Sequence, residues 1–158
     1  MTKRWQTFEH PSDLGLEAWG ESLPALFEAL GEALAAQICF TGQGQAQERV
    51  ELDVRADDTQ ELLLEFLSHL LRLSVIGHRV ITDVSVDRVS TDVPSDRANT
   101  ASTAGGGDAL SVHACVGLER VDLTRHELGP EIKAVTYHQL LIEQQPDGQW
   151  HARVLLDL

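Results

Sequence analysis

Cysteine is scarce: 158 residues contain two, Cys39 and Cys115, far apart and neither in a C-x-x-C. That excludes the short zinc and dithiol redox motifs, and two thiols filling core space are the expectation. Basic residues are scarce too, 12 Lys and Arg against 25 Asp and Glu, for a formal net charge of −13. Nucleic-acid binding relies on Lys and Arg displacing condensed counterions, so a surface this negative repels phosphate backbones and no direct nucleic-acid contact is expected. No stretch approaches the roughly 18 apolar residues a membrane-spanning helix requires. The opening Met1-Thr2-Lys3-Arg4-Trp5-Gln6-Thr7 lacks the apolar run of a secretory signal, which makes the cytoplasm the expected location. Gly-x-Ser-x-Gly, the P-loop, Gly-x-Gly-x-x-Gly and His-Glu-x-x-His are all missing. His126 and His138 could act as acid or base, but no nucleophile or oxyanion donor is identifiable beside them.

What remains is an acidic chain of ordinary globular composition, 42% hydrophobic and 23% charged, long enough for one sizeable core. The acidity suits docking on a basic partner or binding a cation, and solubility alone also accounts for it. Trp5 to Glu9 reads as a short extended piece, with a loop at His10-Pro11-Ser12-Asp13 and a second extended piece from Leu14 to Gly20. Ser22 caps a helix whose apolar stripe is Leu23, Leu26, Phe27, Leu30, Leu34 and Ile38. Gly42 to Gln47 is a polar loop. Val50, Leu52 and Val54 alternate with Glu51, Asp53 and Arg55, the period of a half-buried strand. Asp58 and Glu61 form an Asp-led capping box for a second helix, with stripe Leu63, Phe66, Leu67 and Leu70 and a stop at Gly77.

Val80, Val84 and Val86 mark another strand. From Ser90 to Asp108 almost nothing is apolar, so a mobile loop is expected there. Alternation resumes at Leu110, Val112, Ala114, Val116 and Leu118. A turn-rich stretch from Asp122 to Pro130 precedes a strand reaching about Glu143. Pro146-Asp147-Gly148 then turns the chain into a last strand, Trp150 to Asp157. Strands, helix, strand, helix and then consecutive strands define an α+β fold, a single domain in which two amphipathic helices lie on a largely antiparallel sheet.

Three places put polar residues where the pattern does not require them. His10-Pro11-Ser12-Asp13 has the composition of an ordinary turn. In the run from Arg125-His126 through Glu131-Ile132-Lys133 to Thr136-Tyr137-His138, Glu131 and Lys133 could form a surface ion pair of little value. Asp157-Leu158 places a carboxylate beside the terminal carboxylate, two hard oxygen donors within one residue.

These places carry a resemblance. Phe8-Glu9-His10-Pro11-Ser12-Asp13-Leu14-Gly15-Leu16-Glu17-Ala18-Trp19-Gly20 is similar to the archease N-terminal motif, roughly E-H-T-A-D-x-G-x-x-A-x-G, with Pro11-Ser12 standing where Thr-Ala is usual. Gly117-Leu118-Glu119 through Arg125-His126 and Glu131-Ile132-Lys133-Ala134-Val135-Thr136-Tyr137-His138 resemble a second motif, roughly R-H-x(4)-E-I-K-A-V-T-Y-H. Val154-Leu155-Leu156-Asp157-Leu158 resembles the closing V-V-L-D-V. The departures are the long Ser90–Asp108 segment and the residue inserted between Gly117 and Glu119.

The resemblance implies an accessory protein, not an enzyme, that works with a tRNA-splicing RNA ligase, promoting its guanylylation and multiple turnover; a chaperone-like role is also implied. It implies a divalent cation held by Asp13, Asp157 and an oxygen of Leu158, Ca²⁺ first with Mg²⁺ or Mn²⁺ as alternatives. Hard oxygen donors suit such ions, where zinc would want His or Cys. His10, Lys133 and His138 are expected to shape the site or touch the ligase. The competing readings are a general chaperone or interaction module, and a small metal-dependent hydrolase using Asp13, Asp157 and His138.

Overall fold

The computed structural model describes residues 4–41, 44–90 and 110–158. Among these residues seven strands and two helices follow one another as β1 (Trp5–His10), β2 (Asp13–Gly20), α1 (Leu23–Ile38), β3 (Glu48–Ala56), α2 (Thr59–Gly77), β4 (Arg79–Ser90), β5 (Leu110–Arg120), β6 (Ala134–Gln144) and β7 (Trp150–Asp157). Every strand pairing is antiparallel. The strands divide between two sheets, ordered β1-β2-β7-β6 and β3-β5-β4. Each helix bridges both, α1 packing on β2 and β4, and α2 on β6 and β3. This is the expected α+β domain, with the antiparallel strands shared between two sheets. The greater part of the expected loop from Ser90 to Asp108 lies outside the described residues, as does the start of the Gly42–Gln47 loop; Ser90 itself ends β4.

Local chemistry explains the elements. Ser22 accepts a hydrogen bond from the Ala25 amide at 3.3 Å, and Pro24 sits in the first turn, where its missing N–H costs nothing. Asp58 Oδ1 accepts from the Glu61 amide at 2.8 Å, while Glu61 Oε2 reaches back to the Asp57 amide. Leu26, Phe27, Leu30 and Leu34 of α1 meet Leu63, Phe66, Leu67 and Leu70 of α2 in the shared core, all fully buried. The Phe27 and Phe66 rings lie 5.6 Å apart at its centre. The Pro146–Gly148 turn forms as expected, with Gly148 at φ 89° and its amide bonded to the Gln145 carbonyl.

Three details differ from the sequence expectation. Cys39 is buried, but Cys115 sits half-buried on β5, so only one thiol is core filling. Glu131 and Lys133 precede β6 and form no ion pair with one another among the described residues. The helix α2 does stop at Gly77, but the left-handed residue is His78, at φ 49°. Gly77 instead borders the Arg79 side chain: a Cβ there would stand 2.3 Å from Arg79 Nε, so any side chain would have to displace that guanidinium. A non-glycine residue in the left-handed region is strained, and His78 is exposed there. His78→Gly should therefore raise stability by roughly 0.5–1 kcal/mol, with the freedom of glycine in the unfolded chain trimming the gain. A midpoint unchanged or lowered in urea unfolding would contradict this.

Candidate functional site

The position of β7 builds the site. The last strand lies between β2 and β6, so Asp157 is opposite Asp13 on one side and Ala134 on the other. In the β1–β2 hairpin His10 is opposite Asp13, leaving only Pro11 and Ser12 in the turn. The expected loop is thus a two-residue connection whose flanking His10 and Asp13 are strand partners. Residues directly opposite one another project from the same face of a sheet. His10, Asp13, Asp157 and Ala134 consequently form one row at the sheet's end, and Leu158 follows Asp157.

The row is supported by backbone and rings. The Lys133 amide donates to the Asp157 carbonyl at 2.8 Å, fixing the segment before β6 against the chain end. The His138 ring lies 6.1 Å from that of His10, edge to face. It reaches there because β6 shifts register between Thr136 and Leu141, with Gln139 at φ 55°. That bulge was not visible in the sequence, which reads as an uninterrupted strand. His10, Asp13, Asp157, Leu158, Lys133 and His138 therefore share one end of the sheet.

The electrostatics of the row are unbalanced. His10 Nδ1 stands 3.3 Å from Asp13 Oδ2, yet the approach is not a hydrogen bond, and this nitrogen is buried without a hydrogen-bond partner. Asp157 has no cationic partner among the described residues, and like charges directly opposite in a sheet cost about 0.2–1 kcal/mol. A hard cation held by the two carboxylates would remove that repulsion, and the donor set fits one. Among the described residues no group of three or more His, Cys, Asp or Glu side chains is arranged to hold a metal ion.

Two polar clusters lie apart from this row. On the same sheet face, His151 stacks on Trp19 at 5.4 Å and is held between Glu17 Oε2 at 2.7 Å and Glu143 Oε1 at 3.2 Å. Burial pushes the Glu17 carboxyl up, but its hydrogen bonds to His151 and Gln6 and the charge of Arg153 outweigh this and leave it lowered. Period-two spacing from Asp157 back to His151 could have placed His151 on this face, though not its partners.

The second cluster contains Arg125 and His126, which the sequence offered as a possible acid or base. His126 is buried, its Nδ1 accepts from the Asp122 amide at 2.9 Å, and its Nε2 points at buried Glu119 Oε2 at 3.3 Å. Arg125 bonds Glu119 Oε1, and this hydrogen bond leads the causes that lower the Glu119 carboxyl. The arrangement fastens the turn after β5 to its strand. Among the described residues neither the His126 ring nor the His138 ring is hydrogen-bonded to a hydroxyl or a thiol.

Fold and site together define a small two-sheet α+β protein with Asp13 and Asp157 paired across strands at one sheet end. The Archease protein family (MTH1598/TM1083) matches residues 5–158, and the chain belongs to it. It is 32% identical to the protein archease of Pyrococcus abyssi and 33% identical to that of Thermococcus gammatolerans, with 99% of each chain covered in both cases. The solution structure of Methanobacterium thermoautotrophicum protein 1598 superposes with a TM-score of 0.73 at 27% identity, covering 99% of this chain and 100% of that one. The fold is shared as well with the crystal structure of a Thermotoga maritima archease described as a possible chaperone, at TM-score 0.58 and 18% identity over 97% of this chain and 96% of that one. Among the described residues no helix is long and apolar enough to cross a membrane.

The turn after β5 generates an acid-stability prediction. Hydrogen bonds from the Thr124 hydroxyl, the Arg125 guanidinium and the Thr124 amide lower the Asp122 carboxyl from 3.8 to about 2. A carboxyl depressed on folding contributes stability that is present above its unfolded value and lost as pH falls through its folded value. Wild type should thus melt above Asp122→Asn at neutral pH, and the gap should close between about pH 4 and about pH 2. A gap that stays constant across this range would show that the Asp122 charge contributes nothing.

Proposed function

We propose that the chain is an accessory protein of a tRNA-splicing RNA ligase, one that promotes the ligase's guanylylation and multiple turnover without performing a chemical step itself. In this reading Asp13, Asp157 and an oxygen of Leu158 hold a divalent cation, Ca²⁺ ahead of Mg²⁺ or Mn²⁺. The observation that carries it is the direct cross-strand pairing of Asp13 with Asp157 at the sheet end, with no basic partner for Asp157 among the described residues. Membership of the archease family supports a protein as the partner. The net charge of −13 supports reaching RNA only through that partner.

His10 and His138 line the same end and can touch or orient whatever approaches the row, and Lys133 holds Asp157 through its backbone amide. A general chaperone role is the second reading, favoured by the description of the Thermotoga maritima relative. A hydrolase centred on His138 gains nothing from the geometry, since its ring makes no hydrogen bond among the described residues.

Asp13→Asn and Asp157→Asn remove charge but little volume. Each should weaken Ca²⁺ binding by on the order of tenfold or more, because oxygen-ligand charge sets the affinity of such sites. Both should lose the ability to shorten the lag of a partner ligase's self-guanylylation while melting no lower than wild type. Calorimetry with unchanged Ca²⁺ affinity in both variants would sink the ion assignment. Wild-type protein that leaves guanylylation kinetics untouched would sink the ligase reading and leave the chaperone one.

A further inference from the structure

A groove of about 540 Å³ opens where the end of α2 meets the start of β4 and the segment from Leu128 to Lys133. Its floor is apolar, formed by Ile38, Leu71, Val80 and Ile132, with Val75 and Leu128 on the rim. Val75 is 59% exposed and Leu128 43%. Phe40, 53% exposed, adjoins them, because Cys39 bridges Leu128 and the Phe40 amide donates to the Glu127 carbonyl. Singly exposed apolar side chains need no explanation, but a contiguous set around a concavity marks an interaction surface.

The charge of this groove departs from that of the molecule. The chain has 25 acidic residues against 12 basic, yet the groove is lined by His78, Arg79 and Lys133 with Glu131 as its one acid. Arg79 shares its charge with Glu48 through Nη1, while its Nε is a buried donor without a hydrogen-bond partner. Lys133 has no ion-pair partner among the described residues.

We propose that this groove is a docking site for an acidic segment of a partner protein, one that sets large apolar side chains on the floor and carboxylates against Lys133 and Arg79. Complementary charge and a desolvated apolar centre are what such a contact requires. A basic segment is disfavoured at the groove even though the protein as a whole attracts it. A second copy of this chain is disfavoured by the mutual repulsion of two strongly acidic molecules. The inference is independent of the ion assignment.

The test uses the whole protein and three labelled peptides followed by fluorescence anisotropy. One alternates leucine with glutamate, one replaces glutamate by lysine, and one replaces leucine by serine. The glutamate–leucine peptide should bind, and Val75→Glu, Leu128→Glu and Lys133→Glu should each weaken it by about tenfold or more. The serine peptide should bind at least tenfold more weakly than the leucine one. The lysine peptide, drawn to an acidic protein at large, should be weakened by none of the three substitutions. Val75 and Lys133 are exposed, so their variants keep the test valid should Leu128→Glu fail to fold. No binding of the glutamate–leucine peptide, or equal binding by wild type and variants, overturns the proposal. Self-association in sedimentation that disappears in Val75→Glu reassigns the groove to a second copy and overturns it as well.

Discussion

The pairing of the last strand between the second and the sixth is the constraint on which the site depends. Chain ends usually fray at a sheet's margin. Here β7 occupies an interior position, with β2 on one side and β6 on the other. Its Ala152, Val154 and Leu156 are fully buried against the helices. Their burial fixes the register, because a slip of one residue would turn this whole set to the opposite face. Asp157 is carried to its place opposite Asp13 by that register. The apolar residues of β7 thus hold two carboxylates together although the carboxylates repel.

Much of this was legible in the sequence, for identifiable reasons. The helices announced themselves through Ser22, Asp58 and Glu61 at their starts and leucines at helical spacing, signals that depend only on neighbours along the chain. The strand alternation in β3 and β5 was equally local. What was not legible depends on partners distant in sequence. Nothing in Thr136-Tyr137-His138-Gln139-Leu140-Leu141 signals a bulge, because a bulge exists only relative to the strand opposite. The meeting of Asp13 with Asp157 was suggested by resemblance and becomes physical only through the register. His126 was legible as a polar residue in a turn. Its role as the buried tie to Glu119 was hidden because Glu119 sits beside apolar Leu118 on a strand whose alternation gave no reason to bury it.

Glycine shows the same limit. Gly77 stands where a helix stop is expected, and the helix does stop, yet the left-handed conformation falls on His78. The glycine borders Arg79, whose guanidinium occupies the space a Cβ would fill. Composition located the punctuation correctly and misassigned its cause, since the space a side chain needs is set by tertiary contacts rather than by the local chain.

The segment from His126 to Lys133 links the two functional regions. His126 anchors it to β5 through Glu119, Leu128 bridges Cys39 at the end of α1, Ile132 is buried in the core, and the Lys133 amide bonds the Asp157 carbonyl. Leu128, Ile132 and Lys133 also wall the groove. One short run of chain, pinned at four points, therefore forms a wall of the apolar groove and holds the last residue of the carboxylate strand. A run pinned this closely moves as a unit or not at all, since each tie is a buried contact or a backbone hydrogen bond. A partner segment seated in the groove would lie against the same backbone that positions Asp157. The arrangement thus joins the groove proposed for partner binding to the carboxylate pair proposed to hold an ion, a link through which the proposed accessory role could act by contact alone.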